Sequence, residues 1–233
     1  SSIAAQKDAK FSARATFWKA ETEYTLDNFN EALLSFKQFE GSPEAVNTSE
    51  YKNLNYNIAY CYFKQKEYDQ AGNNFQSYIG IAKEDKIRLN DAYLRLGDCR
   101  FVTSKYWPAM DAYNKAIELK SVDADYAAFQ KAISYGFVGK NEKKIEDFNK
   151  FLQAYKTSQY RDDALFELAN TYVTESKTDL AIKTYDQLLA EFKNGTYASK
   201  AVLREGLVYY NGNKDDFAIA KFKKVAADFP RTP

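Results

Sequence analysis

The sequence predicts an all-α fold of six stacked helical hairpins. Two observations carry that expectation: a six-fold recurrence of small and aromatic residues, and a scarcity of residues that turn a chain sharply. Among 233 residues there are 9 glycines and 4 prolines, too few for an all-β protein with many tight turns. Hydrophobic residues make up 45% and charged residues 28%, the balance of a chain that buries a core.

The recurrence is a small residue, a second small residue twelve positions later, and an aromatic four after that. It reads Ala20, Ala32, Phe36; Ala59, Ala71, Phe75; Gly97, Ala109, Tyr113; Ala132, Lys144, Phe148; Ala169, Ala181, Tyr185; and Gly206, Ala218, Phe222. The middle position advances by 39, 38, 35, 37 and 37 residues. A fixed period of this length is the mark of a repeat architecture.

Each unit reads as two helices. First arms are expected over 10–26, 51–65, 90–103, 125–138, 162–175 and 199–210. Short polar turns follow, such as Asp27-Asn28, Lys66-Glu67 and Asn211-Gly212-Asn213. Second arms carry apolar residues at i, i+3, i+4 and i+7, as in Phe29, Ala32, Leu33 and Phe36, the stripe of an amphipathic helix. Pro108 falls in the first turn of its second arm, where its missing N–H is harmless.

Two arms on a short turn must approach closely, and paired small residues allow it. Glycine inside a helix costs about 1 kcal/mol relative to alanine. Overpacking a core costs typically 1–3 kcal/mol, so Gly97 reads as a packing residue. Lys144 breaks the pattern, and its hairpin is expected to be looser or shifted. The repeats are placed at about 10–45, 49–83, 88–121, 123–157, 160–195 and 197–230, as one solenoid over 1–233. The ending FPRTP at 229–233 reads like the opening of a further unit, so a longer chain is expected.

The arrangement resembles the tetratricopeptide repeat, most closely in AYLRLGDCRFVTSKYWPAMDAYNKAIEL and NIAYCYFKQKEYDQAGNNFQSYI. An aromatic stands three after the first small residue at Tyr62, Tyr135, Tyr172 and Tyr209, with Glu23 and Arg100 in the first and third units. The resemblance implies a right-handed superhelical solenoid whose function is protein binding. The junctions SPEAVNTSEY, TSQYRDDA and NGTYASKA are similar to those of the bacterial cell-envelope subgroup, which includes outer-membrane-assembly lipoproteins and periplasmic coordinators. That likeness implies a periplasmic or outer-membrane-associated location, with the cytoplasm as the alternative.

Other functions have little to stand on. Net charge is +1 from 33 basic and 32 acidic residues, without the basic stripe that nucleic acid or an anionic membrane needs. No apolar run approaches the ~20 residues of a membrane-spanning helix. The absence of histidine removes Ser-His and Cys-His nucleophile pairs and histidine metal ligands. Cys61 and Cys99 occupy equivalent places in adjacent units. Packed helices run about 8–10 Å apart, too far for a disulfide, so both read as buried thiols. Gly136-Phe-Val-Gly139-Lys140 lacks the first glycine and the hydroxyl of a phosphate loop. Asn47-Thr-Ser49 and Asn194-Gly-Thr196 are formal sequons in expected loops. The acid pairs Asp162-Asp163 and Asp215-Asp216 read as helix-start residues. No enzyme, metal or cofactor is expected.

In the family that the sequence resembles, the first helix of each unit lines the concave face. Mapped onto this chain, that face offers Phe17 and Tyr24 with Arg14 and Glu21, then Tyr56, Tyr60 and Phe63, then Leu94 and Phe101. Tyr126, Phe129 and Phe137 follow, then Phe166, and finally Tyr210 with Leu203. Such rings give large contact area with few rotors to freeze, which suits peptide capture. The family's carboxylate clamp uses lysine and asparagine at inner positions that here carry Phe17, Tyr56, Leu94, Phe129, Phe166 and Leu203. A terminal carboxylate is therefore not expected; an apolar or extended protein segment is. A structural spacer with end-to-end self-association, or a carbohydrate-binding module using the same rings, are the rival readings.

Overall fold

The computed structural model describes residues 2–82 and 84–229. Among them the regular structure is twelve α-helices and two short 3-10 turns, with no strand. The helices are α1 (Ser2–Thr25), α2 (Phe29–Glu40), α3 (Leu54–Lys64), α4 (Tyr68–Ile81), α5 (Lys86–Val102) and α6 (Tyr106–Leu119). They continue with α7 (Ala124–Phe137), α8 (Asn141–Ala154), α9 (Arg161–Thr174), α10 (Thr178–Glu191), α11 (Ala198–Asn211) and α12 (Asp215–Asp228). Every expected arm is present. The largest boundary difference is α1, which begins at Ser2 rather than at 10; α5 begins at Lys86 rather than at 90 because Asp85 caps it, accepting the Arg88 N–H at 2.9 Å. Lys83, at the end of the second expected repeat, and Pro230 to Pro233 of the FPRTP ending lie outside the described residues.

The chain divides into two compact units, Ser1–Ala124 and Asp125–Pro233, each with three hairpins. In the first unit the core runs through Phe17, Phe36 and Phe39 into Leu54, Ile58 and Cys61, and a second cluster centres on Phe75, Tyr78 and Leu96. In the second unit Phe148, Phe151, Leu165, Tyr185 and Leu188 form the core.

All the small residues of the recurrence are buried. At Gly97 a methyl group would lie 2.4 Å from Tyr113 Cε1, and at Gly206 2.5 Å from Phe222 Cε1. The aromatic of the pattern thus lies against the first small residue and leaves no room for a Cβ where that residue is glycine. Where the ring is tyrosine, the next residue receives its hydroxyl: Tyr113 donates to Asp98 at 3.0 Å and Tyr185 to Asn170 at 2.6 Å.

The six turns share one geometry. The residue seven after the first small one is left-handed in every hairpin: Asp27, Lys66, Ser104, Gly139, Ser176 and Asn213, with φ between 56° and 68°. The following N–H donates to the carbonyl five residues back, as Glu67 does to Tyr62 at 2.9 Å and Lys177 to Tyr172 at 2.8 Å. This is the long-range bond of a Schellman helix ending.

The fourth hairpin is looser, as Lys144 at a small-residue position predicts: α7 and α8 approach each other less closely than the paired arms of the other five hairpins, and Lys144 packs opposite a glycine. A Cβ on Gly136 would meet Lys144 Cδ at 3.2 Å. The Lys144 ammonium reaches Glu167 of α9 at 2.7 Å. The arms are also joined by Lys131 and Asp147 at 2.9 Å and by Phe129 against Phe148 at 5.8 Å between centroids.

Neither acid pair stands at the N-cap position, but Asp162 Oδ1 accepts the free first-turn N–H of Asp163 at 3.0 Å. Lys214 precedes α12 and Tyr160 precedes α9, neither with a side-chain cap bond. Asp163 instead accepts the Tyr197 hydroxyl. Both pairs do sit in a first helical turn, where negative charge complements the helix dipole.

Candidate binding pocket in the first unit

Four helices of the first unit surround a cavity of about 390 Å³, with Phe36 of α2 at its base, within the range of small-ligand and side-chain pockets. α1 contributes Phe17, Trp18, Glu21 and Tyr24, positions that share one helical face. α3 presents Tyr56, Asn57 and Tyr60 at matching places in the next repeat, the 3-10 turn before it presents Asn53, and Arg88 comes from the first turn of α5.

Phe17 forms the floor. It is 3% exposed and packs edge-on to Phe36 and Phe39 with centroids 5.5 and 5.2 Å away. The walls are wetter. Trp18 is 55% exposed, and its indole N–H donates to Glu50 Oε1 at 3.3 Å. Glu50 also accepts from Arg14 Nε at 2.8 Å. Burial pushes the Glu50 carboxyl up, but hydrogen bonds from Arg14, the backbone and Ser49 outweigh it and hold the group below its ordinary range.

Tyr56 and Tyr60 pack edge-on at 5.0 Å, and both donate their hydroxyls to Asp91 Oδ2, at 2.7 and 2.5 Å. Arg95 donates to Asp91 at 3.4 Å and to Asp98 at 2.6 Å. Burial, with the Asp91 charge second, pushes both phenols well above their usual value. These hydroxyls are tied down in a polar chain beneath the surface, so the rings are held as rigid walls. Burial also raises the Tyr24 phenol to about 12.

The charged groups of the pocket differ in how well they are satisfied. Arg88 Nη1 donates to Asn53 and to Asp85, each at 3.0 Å, and its guanidinium lies 5.2 Å from the Tyr56 ring centre. Glu21 accepts one bond, from the Asn57 side-chain amide. Burial pushes its carboxyl up, against the opposing Arg88 charge and Asn57 bond.

Of the expected groove residues, Phe17, Tyr24, Tyr56 and Tyr60 come together here. Phe63 lies beside them, half-buried against Tyr68 and Phe75. Leu94 does not belong to an open surface: it is 0% exposed, because its side of α5 faces core. Phe17 likewise shapes the floor rather than offering a free ring. Phe101 is half-buried edge-on to Tyr106 at 5.5 Å.

In the second unit Tyr126 and Phe129 both meet Tyr160, Phe129 by stacking at 5.5 Å. Phe166 stacks on Tyr197 at 4.7 Å. These rings join one repeat to the next. Phe137 and Tyr210, near the ends of their arms, are 59% and 60% exposed. A second cavity, of about 410 Å³, is lined by Ile133, Phe137, Lys144, Glu167 and Asn170 among others, but its lysine and glutamate satisfy each other at 2.7 Å.

Sequence reasoning missed Trp18, Asn57 and Arg88. Trp18 and Asn57 each follow a floor or wall residue by one position, and Arg88 lies just before the first arm expected at 90–103. Both cysteines are free and buried, and burial pushes their thiols up to about 12. Among the described residues no group of histidine, cysteine, aspartate or glutamate is placed to hold a metal ion, and no helix is long and apolar enough to cross a membrane.

Residues 166–233 and 54–81 each match a tetratricopeptide repeat family model. No curated protein matches the sequence significantly. Solved structures similar in fold include the apo form of RapI, 14% identical with a TM-score of 0.70 over 91% of this chain. The match spans 63% of the RapI chain. A tetratricopeptide repeat protein from Parabacteroides merdae is 15% identical, with a TM-score of 0.67 over 93% of this chain and 79% of its own. YrrB, described as a TPR protein with an unusual peptide-binding site, is 16% identical, with a TM-score of 0.63 over 80% of this chain and 89% of its own. Residues 54–81 and 166–233 are tetratricopeptide repeats, and the chain has the all-α fold of tetratricopeptide-repeat proteins.

Proposed function

We propose that this chain is a non-catalytic protein- or peptide-binding scaffold, and that the pocket between α1, α3 and the start of α5 holds an extended segment of the partner. One observation carries the reading: a cavity of about 390 Å³ is walled by Trp18, Tyr24, Tyr56 and Tyr60, two of whose hydroxyls are already spent on Asp91. Rigid rings around a recess give contact area at low entropic cost, the property of binding hot spots. Tetratricopeptide repeats in general bind protein partners, and YrrB is described by its peptide-binding site. The buried thiols, shifted away from thiolate, support a non-catalytic role.

The periplasmic or outer-membrane-associated location is part of the same proposal and rests on the style of the inter-repeat junctions. Fractionation of the native cells tests it directly. Binding is tested by selecting peptides from a random display library on the wild-type chain and re-measuring them on Trp18→Ala and Tyr24→Ala. Peptides that weaken at least about tenfold on both variants, with unchanged helical circular dichroism, support the reading. Failure to select any peptide, or selected peptides indifferent to both variants, contradicts it.

A further inference from the structure

We propose that the first-unit pocket takes a basic side chain of the partner, lysine or arginine, with Glu21 as its counter-charge and the rings of Trp18, Tyr24 and Tyr60 as its walls. This rests on the peptide-capture reading and names the chemistry of what is captured.

Three carboxylates lie in or beneath the pocket. Glu50 is committed to Arg14 at 2.8 Å. Asp91 is committed to two tyrosine hydroxyls and to Arg95. Glu21 has no ion pair among the described residues and one neutral donor, Asn57. A half-buried carboxylate without a cation is costly, and a cation that arrives with its own hydrogen bonds relieves that cost.

The one basic group lining the cavity does not fill the role. Arg88 is held by Asn53 and Asp85 and stacked on Tyr56; its charge acts on Glu21 without an ion pair or hydrogen bond to it, so the carboxylate still lacks a contacting cation. This same satisfaction argues against an anionic occupant, since no unpaired cation waits for one in the pocket.

The remaining surface suits the rest of a long basic side chain. The Phe17 and Phe36 floor is apolar, as a methylene stem requires. Trp18, Tyr24 and Tyr60 surround the recess with faces and edges, and a cation within about 6 Å of such a ring is attracted by its quadrupole. Tyr24 and Tyr60 are themselves packed edge-on at 6.5 Å, which fixes their mutual orientation.

The test needs no unidentified partner. Nα-acetyl-lysine methylamide and Nα-acetyl-norleucine methylamide are titrated separately into the isotope-labelled full chain. The Trp18 indole N–H and the Asn57 side-chain amide are followed by NMR. The expected result is that the lysine compound moves both signals and saturates at a concentration at least about tenfold lower than the norleucine compound. In Glu21→Gln the two compounds become equivalent. Because the comparison of compounds is made in the wild type, it does not depend on the variant folding. Equal response to both compounds, or response to neither, overturns the cation pocket, as does a methyl glucoside that moves the same signals as strongly. Should library peptides bind through Trp18 without any basic residue, capture stands and the basic specificity falls. Should no peptide bind at all, the capture reading itself falls.

Discussion

At Gly97 the backbone propensity and the packing point in opposite directions, and the distances decide between them. A Cβ there would sit 2.4 Å from Cε1 and 2.6 Å from Cδ1 of Tyr113, a ring buried at the centre of the hairpin. Gly97→Ala is therefore expected to destabilise by about 1–3 kcal/mol in urea titrations, although helix propensity alone would favour it by about 1 kcal/mol. Gly136 is the contrast. Its nearest neighbour is the flexible stem of Lys144 at 3.2 Å, and Gly136→Ala is expected to change stability by less than about 0.5 kcal/mol. Equal effects at the two sites would contradict the packing role of Gly97. The Gly97 role was legible from spacing alone. The looser fourth hairpin was legible too, from Lys144 at a small-residue position; that Gly136 would face its stem was not, because it depends on which turn of the facing helix carries a glycine.

Glu205 supplies a second residue-scale prediction. Its side chain is fully buried, Oε1 has no hydrogen-bond partner, and Lys221 covers Oε2. Burial pushes the carboxyl up to about 7, against the opposing Lys221 charge. Its folded value thus lies above its ordinary 4.5, so the folded state keeps a proton that the unfolded state releases. The resulting stability is full below about pH 4.5 and is lost as pH rises to about 7. The chain has no histidine to titrate in that window. Unfolding free energy should fall by about 1–3 kcal/mol between pH 5 and pH 7.5, and Glu205→Gln should flatten most of that slope. A rise with pH in the wild type would contradict the assignment.

At the scale of the element, the turns hold what the sequence concealed. Polar turns were expected, but not that each would place one residue at φ between 56° and 68°. Aspartate, lysine, serine and asparagine fill five of these positions, so the glycine signal for such a helix ending is absent. Non-glycine residues in this region carry a cost of roughly 1–2 kcal/mol, partly offset in a glycine variant by greater freedom of the unfolded chain. Lys66→Gly and Ser104→Gly are expected to stabilise by about 0.5–1 kcal/mol, and Gly139→Ala to destabilise by about 1 kcal/mol, in thermal or urea unfolding. The opposite signs at these sites would show that the Schellman endings do not govern the turns. At this same scale, two expected groove aromatics of the second unit also pack against the next repeat. Phe129 and Phe166 stack on Tyr160 and Tyr197, residues of the junctions, where hydrophobic periodicity gives no warning of a ring folding back.

For the molecule as a whole, the repeat was readable because eleven small residues and six aromatics keep one phase through the chain. Half of the pocket's ten lining residues were readable for the same reason: Phe17, Glu21, Tyr24, Tyr56 and Tyr60 follow from the helical face. Arg88 was hidden because the cap at Asp85 lengthens α5 by a turn. Trp18 was hidden because it stands at the edge of the face, half turned to solvent. It is nevertheless the residue on which the account is most exposed, and the chain provides its own control. The two tryptophans are nearly equally accessible, Trp18 at 55% and Trp107 at 54%, and only Trp18 lines the pocket. The most direct measurement is the affinity of one library-selected peptide, by calorimetry, for Trp18→Ala and Trp107→Ala side by side. Capture in the first-unit pocket predicts a loss of at least about tenfold for Trp18→Ala and an affinity within about twofold of wild type for Trp107→Ala. Equal losses, or a loss confined to Trp107→Ala, would contradict it.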